Sequence, residues 1–192
     1  MTRRDFDGCG GMDQRKAEDL RLIYAHTKRG GTLAKAPGGP FVVYRYHTSN
    51  MSFGVPSGLL LEIRIRAFED QWLSAGVAGA AGTPPNPLWH GPDSRISIWS
   101  AGQEGKRFFK ALSPAYRGRV GQFGDIDPKK IGTNYHHAIW RVTVPVVDFR
   151  DMTPPCVMCV KLDTTGGKFE QNVRWMQENK GWVEGVHYVH FC

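Results

Sequence analysis

The first hydrophobic pattern along the chain predicts an amphipathic helix over residues 13–27. Asp13 is a suitable N-cap, and the glycine pair at residues 30–31 is a suitable end. Apolar and charged side chains fall on opposite faces of this helix: Leu20, Ile23, Tyr24 and Thr27 on one, Arg15, Lys16 and Asp19 on the other. Such a helix packs its apolar face against the rest of its domain.

Apolar runs further along the chain predict strands. Residues 41–47 indicate a buried strand, and residues 59–67 alternate between apolar and charged positions, which predicts a strand with one solvated face. Residues 136–149 contain several branched apolar side chains and predict the central strand, with a break or bulge at Pro145. Two shorter strands are predicted, at residues 95–99 and 185–191.

Helices and connectors complete the pattern. A short helix is expected to follow residue 67 and to end near Ala75, and two more are predicted at residues 103–112 and 168–179. Residues 76–92 are mostly Gly, Ala and Pro with almost no charge, which predicts a long loop. Residues 113–134 predict a second connector, rich in glycine and charge.

The order of these segments indicates an α+β protein. The strands are not regularly separated by crossover helices, so we expect a mixed or mainly antiparallel sheet of five or six strands with flanking helices. A chain of 192 residues is long enough for one domain with a sizeable core. We therefore predict one domain over residues 1–192, in which residues 1–12 form a flexible N-terminal segment.

Charge and hydropathy narrow the choice of partners and location. The formal net charge is +7, which favours an acidic partner, either nucleic acid or an acidic protein surface. No apolar run reaches the ~18 residues of a membrane span, and no apolar stretch follows Arg3-Arg4, so we expect a soluble chain without a signal peptide. Delivery into a target cell, or excision from a larger secreted protein, is compatible with this expectation.

The cysteines do not form the pattern of a disulfide scaffold. Cys156 and Cys159 make one C-x-x-C pair, whereas Cys9 and Cys192 lie at the two ends of the chain. A zinc site needs two further ligands at suitable spacing, and a deaminase site needs an upstream His-x-Glu, which is absent. We therefore interpret the pair as buried thiols and predict no metal site, with a metal or a disulfide as the alternative.

Four segments, taken in order, carry the strongest functional pattern. Residues 44–49 end a strand with an Arg and a His, residues 97–101 combine hydroxyls and an aromatic before a helix, residues 138–151 end a strand in Asp, and residues 181–186 carry a late Glu. This order, over about residues 40–190, resembles the ADP-ribosyltransferase superfamily, which includes bacterial toxin and effector domains and their NAD-cleaving relatives.

The resemblance implies an enzyme that consumes NAD as its substrate. Such an enzyme transfers ADP-ribose to a macromolecule or hydrolyses NAD, and a cognate inhibitor protein is an expected partner. An Arg grips diphosphate, and a carboxylate stabilises the oxocarbenium-like transition state. The implied residues are Arg45 and His47 on the dinucleotide, Ser97 and Trp99 along the nicotinamide side, and Glu184, Glu104 and Ser100 in catalysis.

Simpler interpretations of the same residues stay open. Arg45 is alternatively paired with a structural acid, Trp99 is a core residue and Glu184 is a solvated turn residue. A small basic ribonuclease using His136 and His137 is the second functional hypothesis. A Cys9, His137 and Asp148 peptidase and a non-enzymatic binding or immunity-type module are the remaining alternatives.

Overall fold

The computed structural model describes most of the chain: residues 2–12, 15–34, 54–74, 86–91, 93–161 and 165–191. The predicted strand at residues 41–47, with Arg45 and His47, lies outside the described residues, as does most of the predicted loop at residues 76–92. The described residues up to Gln71 form one compact unit, the N-terminal unit, and those from Trp72 onward form a second, the sheet unit. One domain over residues 1–192 stays a prediction.

The N-terminal unit contains helices α1 (Arg3–Gly8), α2 (Glu18–Lys28) and α3 (Ser57–Phe68). Thr2 and Asp5 form a reciprocal capping box at the start of α1. Helix α2 confirms the helix predicted for this region but begins at Glu18, and the expected cap Asp13 lies outside the described residues.

The prediction of a strand at residues 59–67 is wrong, because this segment belongs to α3. Besides the alternation of apolar and charged residues, this segment has a helical spacing of apolar residues. Leu61, Ile65 and Phe68 are separated by four and three residues, which is the period of a helix face. Glu62 and Arg66 also form an i,i+4 ion pair of 2.6 Å. The helix continues as a π-helical turn over Glu69–Leu73, where a short helix was expected.

Six strands of the described chain form one sheet in the sheet unit. They are β1 (Ile96–Trp99), β2 (Val120–Asp125), β3 (Asn134–His137), β4 (Val142–Asp148), β5 (Cys156–Met158) and β6 (Tyr188–His190). Their order is β3-β4-β2-β1-β5-β6, and among the described strands only β3 and β4 pair antiparallel. The predicted α+β class with a mixed sheet is therefore confirmed.

The helices of the sheet unit are α4 (Pro87–His90), α5 (Gln103–Ala111), α6 (Pro114–Arg117) and α7 (Lys168–Lys180). The predictions of strands at 95–99 and 185–191 and of helices at 103–112 and 168–179 are confirmed. Helix α4 falls within the segment that was expected to be a loop. None of the helices in the described ranges has the length and apolar character needed to cross a membrane.

Two predictions about the sheet are wrong. The expected connector at residues 113–134 contains β2, which lies in the middle of the sheet and has too few apolar residues to reveal itself. The expected central strand at residues 136–149 is two strands, β3 and β4, joined by a turn in which Arg141 has a φ of 51°. Strand β4 lies second from the edge, and it runs through Pro145 without a break.

Helices cover the two faces of the sheet. On one face, Phe109 of α5 packs edge-on against Phe123 of β2, with ring centroids 5.9 Å apart. On the other face, Phe169 of α7 packs edge-on against Trp99 of β1 at 5.2 Å. This second face holds a cluster of buried residues: Trp99, Phe149, Met152, Cys156, Met158, Phe169, Val173, Met176, Trp182 and Tyr188.

Candidate ligand-binding crevice

A crevice lies where β1, β2 and β5 end. These three strands are parallel, so their carboxyl ends meet at one edge of the sheet. Helix α5 leads from β1 to β2, whereas α7 leads from β5 to β6 in the opposite direction. Such a reversal separates the loops that follow neighbouring strands, and ligands of open sheets bind in the gap. The cavity measures about 270 Å³.

Residues from both loops line this cavity. The side of β1 and β2 contributes Trp99, Ser100, Asp125, Ile126 and Lys130. The side of β5 and α7 contributes Val160, Thr165, Lys168, Phe169 and Asn172. A mainly apolar floor with a few polar and charged groups at the rim is typical of a small-molecule site.

The turn between β1 and α5 brings the main chain very close to the preceding strand. Ser100 has a φ of 121°, a conformation that favours glycine, and Gly102 is the N-cap residue of α5. At Gly105 an added Cβ would lie 1.9 Å from the carbonyl oxygen of Ser100 and 3.1 Å from Ile98. The sequence S-x-G-x-x-G therefore allows a tight turn and close packing of helix on strand, as in dinucleotide-binding turns.

Asp125, the last residue of β2, fastens this turn. Its Oδ2 accepts a hydrogen bond from the main-chain N–H of Ala101 at 2.9 Å and from Lys130 Nζ at 3.0 Å. Its Oδ1 accepts from the N–H groups of Ile126 and Asp127 at 2.9 and 3.0 Å. Burial opposes the charged form, but these hydrogen bonds and the Lys130 ammonium together lower the pKa of Asp125.

The opposite wall is formed by the start of α7. Gly166 and Gly167 precede the helix with φ values of 58° and 81°, and an added Cβ would meet no atom within 4 Å at either position. Lys168 is exposed at the rim, and Asn172, one turn later, is half-buried. This wall therefore offers an ammonium and an amide to a bound molecule.

The apolar part of the crevice continues the core. Trp99 is 2% exposed and stacks on Phe149, with ring centroids 5.1 Å apart. Ile126, by contrast, is 52% exposed at the rim, directly after Asp125. An exposed branched side chain at this position can contact the flat face of a planar ring.

The structure brings together some of the site residues predicted from the sequence. Trp99 and Ser100 line the crevice, although Trp99 belongs mainly to the core, which agrees with the simpler interpretation. Ser97 lies buried within the sheet, where its Oγ donates to the carbonyl of Thr153 at 2.5 Å. Glu104, in the first turn of α5, forms an ion pair of 3.0 Å with Lys161.

Three predicted site residues remain: Glu184, Arg45 and His47. Glu184 is exposed in the turn before β6, makes an isolated bridge to Tyr188, and is not among the described residues that line the crevice. Arg45 and His47 lie outside the described residues. The predicted approach of Arg45 and Glu184 to one cleft therefore stays a prediction.

His136 and His137 are neighbours on β3, so their side chains point to opposite faces of the sheet. The ring of His136 is 3.1 Å from the hydroxyl of Thr143, whereas His137 stacks on Trp140 with centroids 3.8 Å apart. The two rings thus do not converge on one substrate atom. His137 and Asp148 also lie at opposite ends of the β3–β4 hairpin, and Asp148 binds Arg150.

Two of the arginines that contribute to the net charge of +7 make contacts within the sheet unit. The guanidinium of Arg119 donates to the carbonyls of Ser94 and Leu73 at 3.0 and 3.1 Å, and burial lowers its pKa. The guanidinium of Arg117 lies 3.4 Å from the centre of the Trp140 ring. Both arginines are half-buried by these contacts within the sheet unit. Their positive charge is therefore less exposed to solvent than the sequence alone suggests.

Cys156 and Cys159 are buried, as the sequence indicated. Burial raises the pKa of the Cys156 thiol, so this group stays protonated at neutral pH. Among the described residues, no group of three or more His, Cys, Asp or Glu side chains is placed to hold a metal ion.

The sequence analysis missed the residues that shape the crevice: Gly102, Gly105, Asp125, Lys130 and Lys168. A signal for four of them was present. The glycines follow a predicted strand and begin a predicted helix, and Asp125 comes about 20 residues after Gly105, which is the spacing of a strand–turn–helix–strand unit that binds nucleotides. Lys130 follows in the loop after Asp125.

This geometry defines a crevice at the carboxyl edge of a largely parallel sheet, with Lys130 and Lys168 on its two walls. No protein-family model matches the chain, and no solved structure matches it.

Proposed function

We propose that the sheet unit binds a nucleotide through its diphosphate, and that the nucleotide is NAD or a close relative. The observation that carries this proposal is the turn at Ser100–Gly105, which links β1 to α5 and is fastened by Asp125 at the end of β2. In this arrangement Ser100 lines the crevice, and a diphosphate bound there would lie near the start of α5, where a helix favours negative charge.

The charges around the crevice support the same ligand. Lys130 stands on the wall of β2 and Lys168 on the wall of α7, so that two ammonium groups flank the space in front of the turn. Charge-assisted hydrogen bonds to phosphate are each worth about 1.5–3 kcal/mol when a site excludes water. The exposed Ile126 gives the base a surface to lie against.

The NAD-consuming activity is a second step of this proposal and depends on a separate group. Asp125 is already engaged by four donors, and Glu184 lies before β6, at the amino edge of the parallel strands. Glu104, in the first turn of α5, is therefore the proposed catalytic acid, with Ser100 beside it. The acceptor of ADP-ribose would be a macromolecule or water, as in toxins and effectors of this class. The net charge of +7 favours an acidic macromolecule.

Calorimetric titration of the full chain with NAD and with ADP-ribose tests the binding step. We expect a dissociation constant below about 1 mM for each, which corresponds to at least about 4 kcal/mol of binding free energy. Lys168→Met should weaken binding about fivefold. Lys180→Met is the matched control, because it removes the same charge from the exposed end of the same helix and should leave the affinity unchanged. Absence of binding would overturn the proposal.

The catalytic step has its own assay. Incubation with NAD should release nicotinamide, and Glu104→Gln should lower kcat more than it changes KM, because the carboxylate acts on the transition state. Binding without nicotinamide release would leave a nucleotide-binding module. Fragmentation of total RNA by a chain that binds no nucleotide would instead favour the ribonuclease hypothesis with His136 and His137.

A further inference from the structure

Asp125 has no room for an additional hydrogen-bond donor. An ionised carboxylate offers about four lone-pair positions. The N–H groups of Ala101, Ile126 and Asp127 and the ammonium of Lys130 supply four donors, all within 3.0 Å. The carboxylate is also largely buried, with 7% of the residue exposed. Asp125 therefore cannot accept the hydroxyls of a ribose unless one of its present donors leaves.

Lys130 lines the crevice together with Asp125, whose oxygens are already engaged by hydrogen bonds. Its side chain is 40% exposed and lines the cavity, and its three-proton ammonium makes one hydrogen bond of the described chain, to Asp125. A second carboxylate, that of Asp127, lies 3.9 Å away, beyond hydrogen-bond distance. A ligand that reaches the end of β2 therefore meets ammonium protons rather than carboxylate oxygens.

From this geometry we infer that the crevice prefers nucleotides whose ribose carries a phosphate monoester, bound by Lys130, and that Asp125 is a positioning residue for the turn. The inference rests on the proposed function, because it names the ribose chemistry of the nucleotide bound there. Asp125 has the position from which an acidic residue usually accepts the 2′-hydroxyl and rejects a 2′-phosphate. Here Lys130 balances the charge of Asp125, which weakens the usual repulsion, and the ammonium protons that Asp125 does not bind can be donated to a phosphate oxygen.

Two ligand pairs separate this preference from simple diphosphate binding. NADP differs from NAD by a 2′-phosphate, and coenzyme A differs from dephospho-coenzyme A by a 3′-phosphate, so the two pairs also distinguish the two positions on the ribose. Calorimetric titration should show at least one phosphorylated member binding about tenfold more tightly than its partner, the effect of one charge-assisted contact. The ratio should fall as salt is raised from low to physiological concentration.

Lys130→Met should reduce this ratio to one or below, because it removes the cation and frees a lone pair of Asp125 for a ribose hydroxyl. Lys130→Arg should keep the ratio above one. Lys129→Met is the matched control, since it removes the same charge from the neighbouring exposed residue, and it should preserve the ratio. Thermal unfolding of each variant, measured alongside, shows whether the compared proteins are folded.

Each result decides the inference. Equal affinities within both pairs, or tighter binding of NAD and dephospho-coenzyme A, would overturn it while leaving the proposed function intact. An equal loss of the ratio in Lys129→Met and Lys130→Met would overturn it as well, because the effect would then be one of net charge. If none of the four nucleotides binds, the proposed function fails together with the inference.

Discussion

The two turns that border the crevice are built in opposite ways. The turn after β1 is short and locked: Asp125 accepts the N–H of Ala101 at 2.9 Å, and the carbonyl of Gly124 accepts the N–H of Ser100 at 2.9 Å. Gly105 packs directly against it. The turn before α7 ends in Gly166 and Gly167, and an added Cβ at either residue would meet open space.

The two turns therefore give one binding site two different properties: a fixed main chain on one wall and tolerance of different side chains on the other. The first turn has a single main-chain path, because the N–H groups of Ser100, Ala101 and Gly102 are all bound within the protein, and its residues are constrained by volume. The second turn is constrained only by the positive φ of its glycines and can accept side chains of different size. Substitutions in the two turns should therefore differ in cost and in kind.

Gly105→Ala should have the largest effect. The added Cβ would lie 1.9 Å from the Ser100 carbonyl oxygen, so either the turn opens or α5 shifts. We expect a loss of about 2–3 kcal/mol in the free energy of unfolding, as for overpacking in a core, together with at least a tenfold loss of nucleotide affinity. Urea unfolding and calorimetry measure the two effects. A variant of wild-type stability and affinity would show that the turn is not locked.

Asp125→Ala should come second. It leaves the N–H of Ala101 and the ammonium of Lys130 without their acceptor, which costs about 1–3 kcal/mol in the free energy of unfolding. Asp125→Asn keeps the shape and some of the hydrogen bonds, so its loss should be smaller. The urea midpoints of the three proteins at neutral pH should therefore fall in the order wild type, Asn variant, Ala variant.

The pH dependence of stability checks the same carboxylate. Because the folded pKa of Asp125 lies below its ordinary value of 3.8, its contribution to stability is present above that pH and is lost as the pH falls through the folded pKa. The gap in urea midpoint between wild type and Asp125→Asn should thus narrow as the pH falls below about 4. A gap that stays constant down to pH 2 would contradict the assignment.

Gly167→Ala should cost less than either change in the first turn. Its Cβ has space, and only the φ of 81° opposes it, which corresponds to a loss of about 1 kcal/mol in unfolding free energy. Urea unfolding beside Gly105→Ala makes the comparison direct. If the two variants were equally destabilised, the difference in packing between the turns would have no energetic consequence.

Ser100 gives the smallest expected effect and the finest test of the locked turn. Both Ser100→Gly and Ser100→Ala remove the hydroxyl that accepts the N–H of Gly102, but only the glycine relieves the φ of 121°. We expect the glycine variant to be more stable than the alanine variant by about 0.5–1 kcal/mol in urea unfolding. An alanine variant that is equal or better would mean that this position carries no backbone strain.

The sequence was sufficient where a local pattern and the final environment agree. Strand β1 and helices α5 and α7 were predicted within one or two residues, because each has an apolar face that is buried in the sheet unit. The α+β class followed from the order of such segments. The residues that form the turn of the candidate site, S-x-G-x-x-G and a later Asp, are also recognisable in the sequence, because they are local features.

Tertiary packing decided what local patterns leave ambiguous. The alternation in α3 fits a strand or a helix, and the structure shows a helix in which Ile63, Ile65 and Phe68 are buried. The side chain of Met152 fills the space where a Cβ of residue 124 would lie, 1.9 Å from the Met152 sulfur, so β2 has Gly124 at this position. Because of this long-range contact, the sequence of β2 lacks the run of apolar residues that is typical of a central strand.

The same distinction between local sequence pattern and tertiary packing applies to the chemistry of the site. The sequence determined which charged and small residues the protein has, and the order of its segments led, through a resemblance, to the prediction that NAD is the ligand. Only the folded sheet shows that Trp99 belongs to the core, that the carboxylate of Asp125 has no hydrogen-bond position left, and that Lys130 lines the crevice. The physical reason is that hydrogen-bond saturation and burial depend on partners distant along the chain, which no local pattern contains.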